Sequence, residues 1–590
     1  MATKQLKIHS ENILPILKKW LYTEREIFAR ELISNACDAL SKLKLLNVAE
    51  ESSFRIDVKV DKENKTLTFS DTGIGMTAEE VEKYIAQLAF SGAEDFIAKY
   101  ADKDADQQII GHFGLGFYST YMVAHTVEID TLSFEEGAKP AHWQCDGSSE
   151  YTLDEGMREE RGTTITLHVE DEEFLDEAML KGLLSKFCSY LPYPIFLGEE
   201  QINPNEPLWL KSAADCTEQE YLDFYRQLYP MEPDPIFWIH LNVDYPFHLQ
   251  GVLFFPKITR QTDMHKNTSK MFCNRVFVSD DCSEVIPDYL MILRGAVDSP
   301  DIPLNVSRSN LQVDRTVRQL KTHIAKKVTD KLTTLARNDR EAFLKCWPDI
   351  ELIIKLGALQ DDKFYDKIKD VLVWQNTKDE WTTLAEYQER SQTPEKIFYT
   401  THDAHTLKLY ENIEVLKAAS QLDAPLLSML EHKMSPVKFQ RVDGAIDDAV
   451  LDTTRDKDLI DESGKSQSAH IADFFRKQLD NTEVEAKSLK NDDLPAFVMI
   501  DESTRRLRDT MAIHSPDGPT DMFDKHTFVV NTNSPLIDAL TKTEDADLAK
   551  ALTRHLYELS LLGQRELKGE ALSGFIDRAN HLLTKLVHDK

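Results

Sequence analysis

The chain has 590 residues, which at about 150 residues per domain predicts roughly three or four domains. Hydrophobic residues make up 42% of it and charged residues 29%, so it can bury ordinary cores and is not disordered overall. Its 69 Lys and Arg against 101 Asp and Glu give a net charge of −32. A chain this acidic repels polyphosphate backbones, which argues against general binding to nucleic acid or to anionic membranes.

The cysteines predict a reducing compartment. They lie at positions 37, 145, 188, 216, 273, 282 and 346, and no two of them form a C-x-x-C pair. Such an odd, scattered set is not typical of a disulfide framework or of a zinc site. The sequence also shows no signal-peptide apolar region and no run of about 18 apolar residues. We therefore expect a cytoplasmic protein without membrane insertion.

Helix and strand patterns alternate through the first 200 residues. A long amphipathic helix opens around Thr23, where Thr23 and Glu26 have the spacing of a capping box. The further elements predicted here are strands at 54–60 and 65–70, a helix from Thr77, strands near 125–132 and 163–169, a helix near 173–191 and a strand at 192–197.

The rest of the chain divides at two breaks. Residues 198–207 hold two prolines and no periodicity, and we place a linker at 201–208. A second domain, 209–445, mixes both kinds of element, and the last block, 446–590, is mainly helical. The predicted elements are strands at 236–256 and 274–279, helices at 313–338, 364–372 and 410–420, and two amphipathic helices at 536–563 and 570–587.

Polar side chains share one face of the first helix. Glu31, Asn35, Asp38 and Lys42 are spaced i, i+4, i+7 and i+11. An Asn carbonyl oxygen suits Mg²⁺ held beside substrate phosphates, and a Glu one turn earlier can position or deprotonate a water. A solvated charged face is the commoner explanation when such a pattern stands alone.

A second motif, SDTGIGMT at 70–77, follows a strand-like segment. Asp71 is expected at the strand end, and Gly73 and Gly75 permit tight turns. A carboxylate there can accept a hydrogen bond from an exocyclic amine such as that of adenine. By itself the motif is a common D-x-G turn. Thr163 opens a later alternating strand, from which its hydroxyl can support Asp71.

A third motif, IGHFGLGFYS at 110–119, is rich in glycine. Gly111, Gly114 and Gly116 let backbone N–H groups approach an anion, and a following helix adds its positive N-terminal end. The spacing is neither that of a Rossmann fingerprint nor that of a Walker A loop. Taken alone, a structural glycine turn explains it equally well.

The order and spacing of these motifs resemble those of the gyrase, histidine-kinase and mismatch-repair ATPase superfamily. Within it the chain is most similar to the heat-shock-ninety chaperone family, of the bacterial high-temperature protein G type. The segments that carry the resemblance further are EPLW (206–209), RVFVSDD (275–281), IPDYL (286–290), DSPDIPLNVSRSNLQ (298–312) and PLIDAL (535–540).

The resemblance implies a multidomain fold of the α+β or α/β class. The N-terminal domain, 1–200, is then a two-layer α/β sandwich that binds ATP. The middle domain, 209–445, is α/β, and the C-terminal domain, 446–590, is mainly helical and forms a homodimer. The implied activity is that of an ATP-dependent molecular chaperone, with Mg²⁺ as cofactor and with unfolded or partly folded client proteins as partners.

The resemblance also implies roles for single residues. Glu31 orients and activates the attacking water, Asn35 holds Mg²⁺ through the nucleotide, and Arg308 reaches the γ-phosphate from the second domain. The other implied contacts are Asp71 with the adenine amino group, Thr163 assisting through water, Gly75 and Met76 at the base, Gly114, Gly116 and Phe117 at the phosphates, and Asp38 and Lys42 at the pocket edge.

Departures from the family pattern leave two other functions open besides that of an ATP-dependent chaperone. Phe90 stands where the family usually has a lid Lys, and Ser309 stands where it commonly has Glu. Phe90 favours a chaperone-like scaffold with a degenerate ATP site. The residues that oppose this alternative are the retained Glu31, Asn35, Asp71 and Arg308. The other alternative is a DNA-handling ATPase of gyrase B or mismatch-repair type, and the net charge of −32 argues against it.

Overall fold

The computed structural model describes residues 25–87, 110–111, 114–148, 150–257, 269–302, 315–402, 405–454, 466–480, 482–502, 504–507 and 526–588. They belong to two compact units, one within residues 1–328 and one within 329–590. This division falls inside the predicted second domain. The assignment of domains to 1–200, 209–445 and 446–590 therefore stays a prediction.

An eight-stranded sheet dominates the beginning of the first unit. Its strands lie in the order β5-β4-β3-β6-β2-β1-β7-β8. All neighbours are antiparallel except β1 and β7, which are parallel. The strands are β1 (Ile56–Asp61), β2 (Thr66–Asp71), β3 (Ala124–Leu132), β4 (Ala141–Cys145), β5 (Tyr151–Glu155), β6 (Gly162–Val169), β7 (Ile195–Leu197) and β8 (Glu200–Gln201).

Helix α1 (Ile27–Leu45) packs on one face of this sheet, against β1 and β2. The other helices of this part of the chain are α2 (Ala78–Tyr84) and α3 (Glu177–Cys188), and α3 packs against α1. Along β2, buried Leu67 and Phe69 alternate with half-buried residues, which is the pattern of a sheet with one buried face. Phe28 of α1 packs edge-on against Phe69. This arrangement confirms the expected two-layer α/β sandwich.

The first two helices begin differently: α1 has no side-chain cap, whereas α2 begins with a complete capping box. α1 begins at Ile27 with Glu26 as its N-cap, and Glu26 makes no side-chain capping bond. Thr23, where the helix was expected to open, lies outside the described residues. At α2 the Thr77 side chain accepts from the backbone of Glu80, and the Glu80 side chain accepts from the backbone of Thr77, a complete capping box.

A second sheet completes the first unit, with strand order β12-β11-β13-β10-β9. The predicted linker is packed along part of its length. Asn203 is buried, accepts from the backbone N–H of Ile195, and donates to the carbonyls of Leu191 and Tyr193. The elements are α4 (Glu218–Leu228), β9 (Phe237–Val243), β10 (Leu249–Phe255), β11 (Lys270–Cys273), β12 (Val276–Ser279) and β13 (Arg294–Asp298). The next helix, α5 (Arg315–Asn338), contains the boundary between the two units.

The second unit contains a five-stranded sheet in the order β15-β14-β17-β16-β18. The prediction of a helix at 410–420 is wrong. A 3-10 turn, His405–Tyr410, ends there and β17 follows, because Leu416 pairs with Asn376 on one side and with Tyr399 on the other. The elements are α6 (Arg340–Gln360), α7 (Asp362–Ile368), β14 (Val373–Asn376), β15 (Trp381–Thr383), α8 (Leu384–Arg390), β16 (Lys396–Thr400), β17 (Leu416–Lys417), α9 (Asp423–Lys433) and β18 (Lys438–Arg441).

The end of the chain is mainly helical, as expected, but its helices pack on a three-stranded sheet in the order β19-β21-β20. The sheet was not predicted. The elements are α10 (Gln467–Gln478), β19 (Glu483–Lys487), β20 (Ala496–Met499), β21 (Thr527–Asn531), α11 (Pro535–Thr541), α12 (Ala546–Gly563) and α13 (Gly569–His588). Among the described helices, none is both long and apolar enough to cross a membrane.

Candidate functional site

Helix α1 carries a buried ion pair followed by an exposed amide. Arg30 and Glu31 are 2% and 6% exposed. The Nε and Nη2 atoms of Arg30 donate to Oε1 of Glu31 at 3.2 and 3.0 Å. Asn35, one turn further on, is exposed, whereas its neighbours on both sides are buried. The helix thus offers a fixed carboxylate and an accessible amide on one side.

The glycine-rich loop lies against this carboxylate. A Cβ atom added to Gly116 would lie 2.3 Å from Oε2 of Glu31, so only glycine permits this approach. Gly114 has φ +61°, a left-handed conformation that favours glycine. The ring of Phe117 packs edge-on against Trp143 in the core, so a phosphate contact by Phe117 falls to its backbone.

Asp38 anchors the start of the same loop. Its Oδ1 and Oδ2 atoms accept from the backbone N–H groups of Ile110 and Gly111 at 2.6 and 2.7 Å. Lys42 lies nearby on α1. Burial lowers the pKa of Lys42, and the carboxylates of Asp38 and Glu80 partly oppose that change. Of the two predicted pocket-edge residues, Asp38 therefore holds the glycine loop to the helix.

Asp71 is the last residue of β2 and is 7% exposed. The backbone N–H of Gly73 donates to its Oδ1 at 2.8 Å. Burial raises the pKa of Asp71 to about 6, and the N–H groups of Gly73 and Thr163 lower it in part. A buried carboxylate that titrates near neutrality suits recognition of a hydrogen-bond donor on a ligand.

The turn after Asp71 is held by Thr131, a residue that no sequence motif indicates. Gly75 has φ +63°, and a Cβ there would lie 1.9 Å from the carbonyl oxygen of Leu132. The backbone N–H of Met76 donates to Oγ1 of Thr131 at 3.0 Å. The Thr131 and Thr163 hydroxyls are 3.0 Å apart. Thr131 thus links the turn at Gly75 and Met76 to the strand that carries Thr163.

Arg30 and Thr131 both shape the site, but only Arg30 has a signal in the local sequence. Arg30 is a charged residue inside the apolar stretch IFARELI, which indicates a buried charge with a partner. Thr131 carries no local signal, because only the pairing of β3 with β6 sets it opposite Thr163. Arg308, Phe90 and Ser309 lie outside the described residues.

The described geometry brings most of the predicted residues into two groups. The first is Glu31, Gly116, Asp38 and Lys42, where α1 meets the glycine loop. The second is Asp71, Gly75, Met76 and Thr163, where β2 and β6 end. In the second group, a carboxylate among backbone amides can hydrogen-bond a purine base. In the first, glycines beside the charged face of a helix let backbone N–H groups bind phosphates.

Comparison with known families agrees with this site. Residues 23–160 match the family model of histidine kinase-, DNA gyrase B- and HSP90-like ATPases. Residues 196–588 match the model of the Hsp90 protein family. The second match covers most of the chain and favours a chaperone over a DNA-handling ATPase.

Individual relatives span nearly the whole chain. The chaperone protein HtpG of Bacteroides fragilis is 39% identical, and the match covers 96% of this chain and 88% of that protein. HtpG of Porphyromonas gingivalis is 38% identical over 95% and 87% of the two chains. HtpG of Serratia proteamaculans is 31% identical over 99% of each. The chain therefore belongs to the Hsp90 protein family.

Proposed function

We propose that the protein is an ATP-dependent chaperone in which Glu31 is the general base of ATP hydrolysis and Asp71 recognises adenine. Its membership of the Hsp90 family, with an ATPase domain at its beginning, makes it a nucleotide-binding ATPase and a chaperone. The observation that carries the residue assignment is the contact between the glycine loop and Glu31, with a Gly116 Cβ position only 2.3 Å from the carboxylate.

The phosphate end is assigned to α1 and the glycine loop. Glu31 takes the proton of the attacking water, and Arg30 holds its other oxygen in place. The backbone of Gly114, Gly116 and Phe117 faces the phosphates. Mg²⁺ supplies charge neutralisation when bound, and the exposed amide oxygen of Asn35 fits the oxygen ligands that this ion prefers.

The adenine end is assigned to the ends of β2 and β6. The Asp71 carboxylate accepts from the exocyclic amine, and Thr163 assists through a water. Gly75 and Met76 line the base. The Thr131 hydroxyl holds their turn in place by accepting a hydrogen bond from the backbone N–H of Met76. Asp38 and Lys42 contribute at the pocket edge, where Asp38 also holds the glycine loop.

Arg308 is assigned to the γ-phosphate. Its position in a different predicted domain makes hydrolysis conditional on domain docking, which couples chemistry to conformational change. With a net charge of −32, the chain needs such local cations to bind a polyanion. Lys42 and Arg308 are the two cations that we assign to the nucleotide.

The homodimer is assigned to the last two helices. On α13, Leu572, Ile576, Leu583 and Leu586 are 40%, 49%, 60% and 67% exposed. Their spacing of i, i+4, i+11 and i+14 places them on one helical face. An exposed apolar stripe of this length is typical of a helix that packs against a second copy. Leu559 and Leu562 of α12 are also exposed.

We further propose that the protein acts in the cytoplasm on unfolded or partly folded clients. The seven cysteines are free thiols, which fits a reducing compartment. Assisted refolding of a denatured model enzyme tests the function, with ATP present or absent. The wild type is expected to raise the yield with ATP, and Glu31→Ala is expected to lose that increase. An equal, ATP-independent yield for both proteins would refute the ATP-driven cycle.

A further inference from the structure

Arg158 lies in the loop between β5 and β6 and contacts both strand ends of the adenine subsite. Its Nη2 donates to the carbonyl oxygen of Asp71 at 2.9 Å, and its Nη1 donates to the hydroxyl of Thr164. Its Nε donates to the carbonyl oxygen of Glu160 at 2.9 Å. One guanidinium group therefore joins β2, β6 and its own loop.

The strand register places this contact on the outer face of the sheet. Asp71 pairs with Thr163, and Ser70 pairs with Thr164. Side chains alternate between the faces of a strand, so the Thr164 hydroxyl lies on the face opposite to the side chains of Asp71 and Thr163. The hydroxyls of Ser70 and Thr164 are 2.9 Å apart there. Arg158 thus holds the strand ends from the side away from the proposed base pocket.

Gly162 makes room for the contact. It has φ +117°, and a Cβ on it would lie 2.1 Å from the Asp71 carbonyl oxygen and 2.9 Å from Nη2 of Arg158. Any other residue would push the loop away from β2. The glycine of the Gly-Thr motif is therefore needed for the approach of Arg158 as well as for the start of β6.

The guanidinium also acts on the Asp71 side chain through its charge. Burial raises the pKa of Asp71, and Arg158 opposes that rise. Cys37 of α1 is a further titratable group that interacts with Asp71. Burial lowers the pKa of Arg158, and the carboxylates of Asp71, of Asp130 in β3 and of Glu160 in the loop partly oppose that change.

We propose that Arg158 is a positioning residue of the adenine subsite. It fixes the ends of β2 and β6 in register and places a positive charge behind the Asp71 carboxyl group, so that the carboxyl group is ionised when the nucleotide arrives. This inference rests on the proposed role of Asp71 in adenine recognition.

The test is the dissociation constant of ADP between about pH 5.5 and about pH 8, by titration calorimetry on the full chain. Arg158→Met is expected to weaken binding several-fold near neutrality and to move the midpoint of the pH profile upward by about half a unit to one unit, because an opposite charge is lost. Arg158→Lys keeps the charge and loses the fork of donors, so its midpoint is expected to stay near the wild-type value.

The matched control is Arg161→Met, in the same loop, where the guanidinium donates to the hydroxyl of Ser53 at 3.0 Å. It is expected to match the wild type. Every variant is titrated with ADP, so protonation of the ADP phosphate affects all pH profiles equally and does not contribute to a difference between their midpoints. Should Arg158→Met fail to fold, Arg158→Gln removes the charge but keeps donors, and the same shift of the midpoint is expected.

Two results separate this inference from the function on which it rests. An unshifted midpoint in Arg158→Met or Arg158→Gln, with ADP binding lost in Asp71→Asn, would overturn the role of Arg158 alone. Wild-type affinity in Asp71→Asn would instead overturn adenine recognition by Asp71.

Discussion

Arg30 donates two hydrogen bonds to a single oxygen of the next residue, Glu31, and both side chains are buried on helix α1. The other oxygen of Glu31 stays directed at Gly116. A guanidinium that binds one carboxylate oxygen fixes the other in orientation, which is what a general base requires. The pair therefore acts as one element of the site.

Removing that guanidinium should affect chemistry more than binding. We expect Arg30→Met to lower kcat for ATP hydrolysis by about 10²-fold, because a misplaced catalytic group loses its geometry, with a small change in the dissociation constant of ADP. Single-turnover hydrolysis and calorimetry measure the two effects. A wild-type kcat in this variant would show that Glu31 is oriented without Arg30.

A methyl group at Gly116 should act on Glu31 directly. In Gly116→Ala the new Cβ would meet Oε2 of Glu31, so the carboxylate must move, and we expect kcat to fall by about 10²-fold. Gly182→Ala is the matched control, because no heavy atom lies within 4 Å of its added Cβ. In helix α3 that change should stabilise the protein by about 0.5–1 kcal/mol and leave hydrolysis unchanged. Equal rates in both variants would contradict the contact.

The raised pKa of Asp71 predicts a pH-dependent cost in stability. In the folded protein the group titrates at about 6, above its usual value of about 3.9, so protonation favours the folded state. The wild type therefore loses about 3 kcal/mol of stability from this group as the pH rises from about 4 to above 6. Asp71→Asn lacks this loss. Its stability relative to the wild type should increase over that window, as measured by denaturant unfolding.

Asp298 offers the control for that experiment. It is buried on β13, and burial also raises its pKa to about 6. Asp298→Asn should show the same pH-dependent gain in relative stability, yet it should bind ADP normally, since Asp298 is outside the proposed site. A pH-independent difference between Asp71→Asn and the wild type would contradict the buried, ionised carboxylate.

The exposed stripe of α13 should decide the oligomeric state. We expect Leu586→Glu, at a position that is 67% exposed, to weaken self-association by at least about tenfold, because a charge would enter an apolar interface. Sedimentation velocity over a range of concentrations measures it. Met231→Glu, at a 94% exposed position in the first unit, is the control and should remain associated. Wild-type association of Leu586→Glu would place the dimer contact elsewhere.

The sequence predicted elements and residue types well where the signal is local. The strand that leads to Asp71, the helix that starts after Thr77 and the polar face of α1 all follow from short-range periodicity or spacing. The helix predicted at 410–420 failed because the pairing of Leu416 between two strands overrides local propensity. Thr131 and Arg158 were missed for a related reason, since only the register of β2, β3 and β6 brings them to Asp71.

The most direct measurement of the central claim is ATP binding and steady-state ATP hydrolysis, side by side, for the wild type, Glu31→Ala and Asp71→Asn. We expect slow turnover by the wild type. Glu31→Ala should still bind ATP but not cleave it, and Asp71→Asn should lose binding. Equal background hydrolysis in all three proteins would contradict an ATPase site built from Glu31 and Asp71.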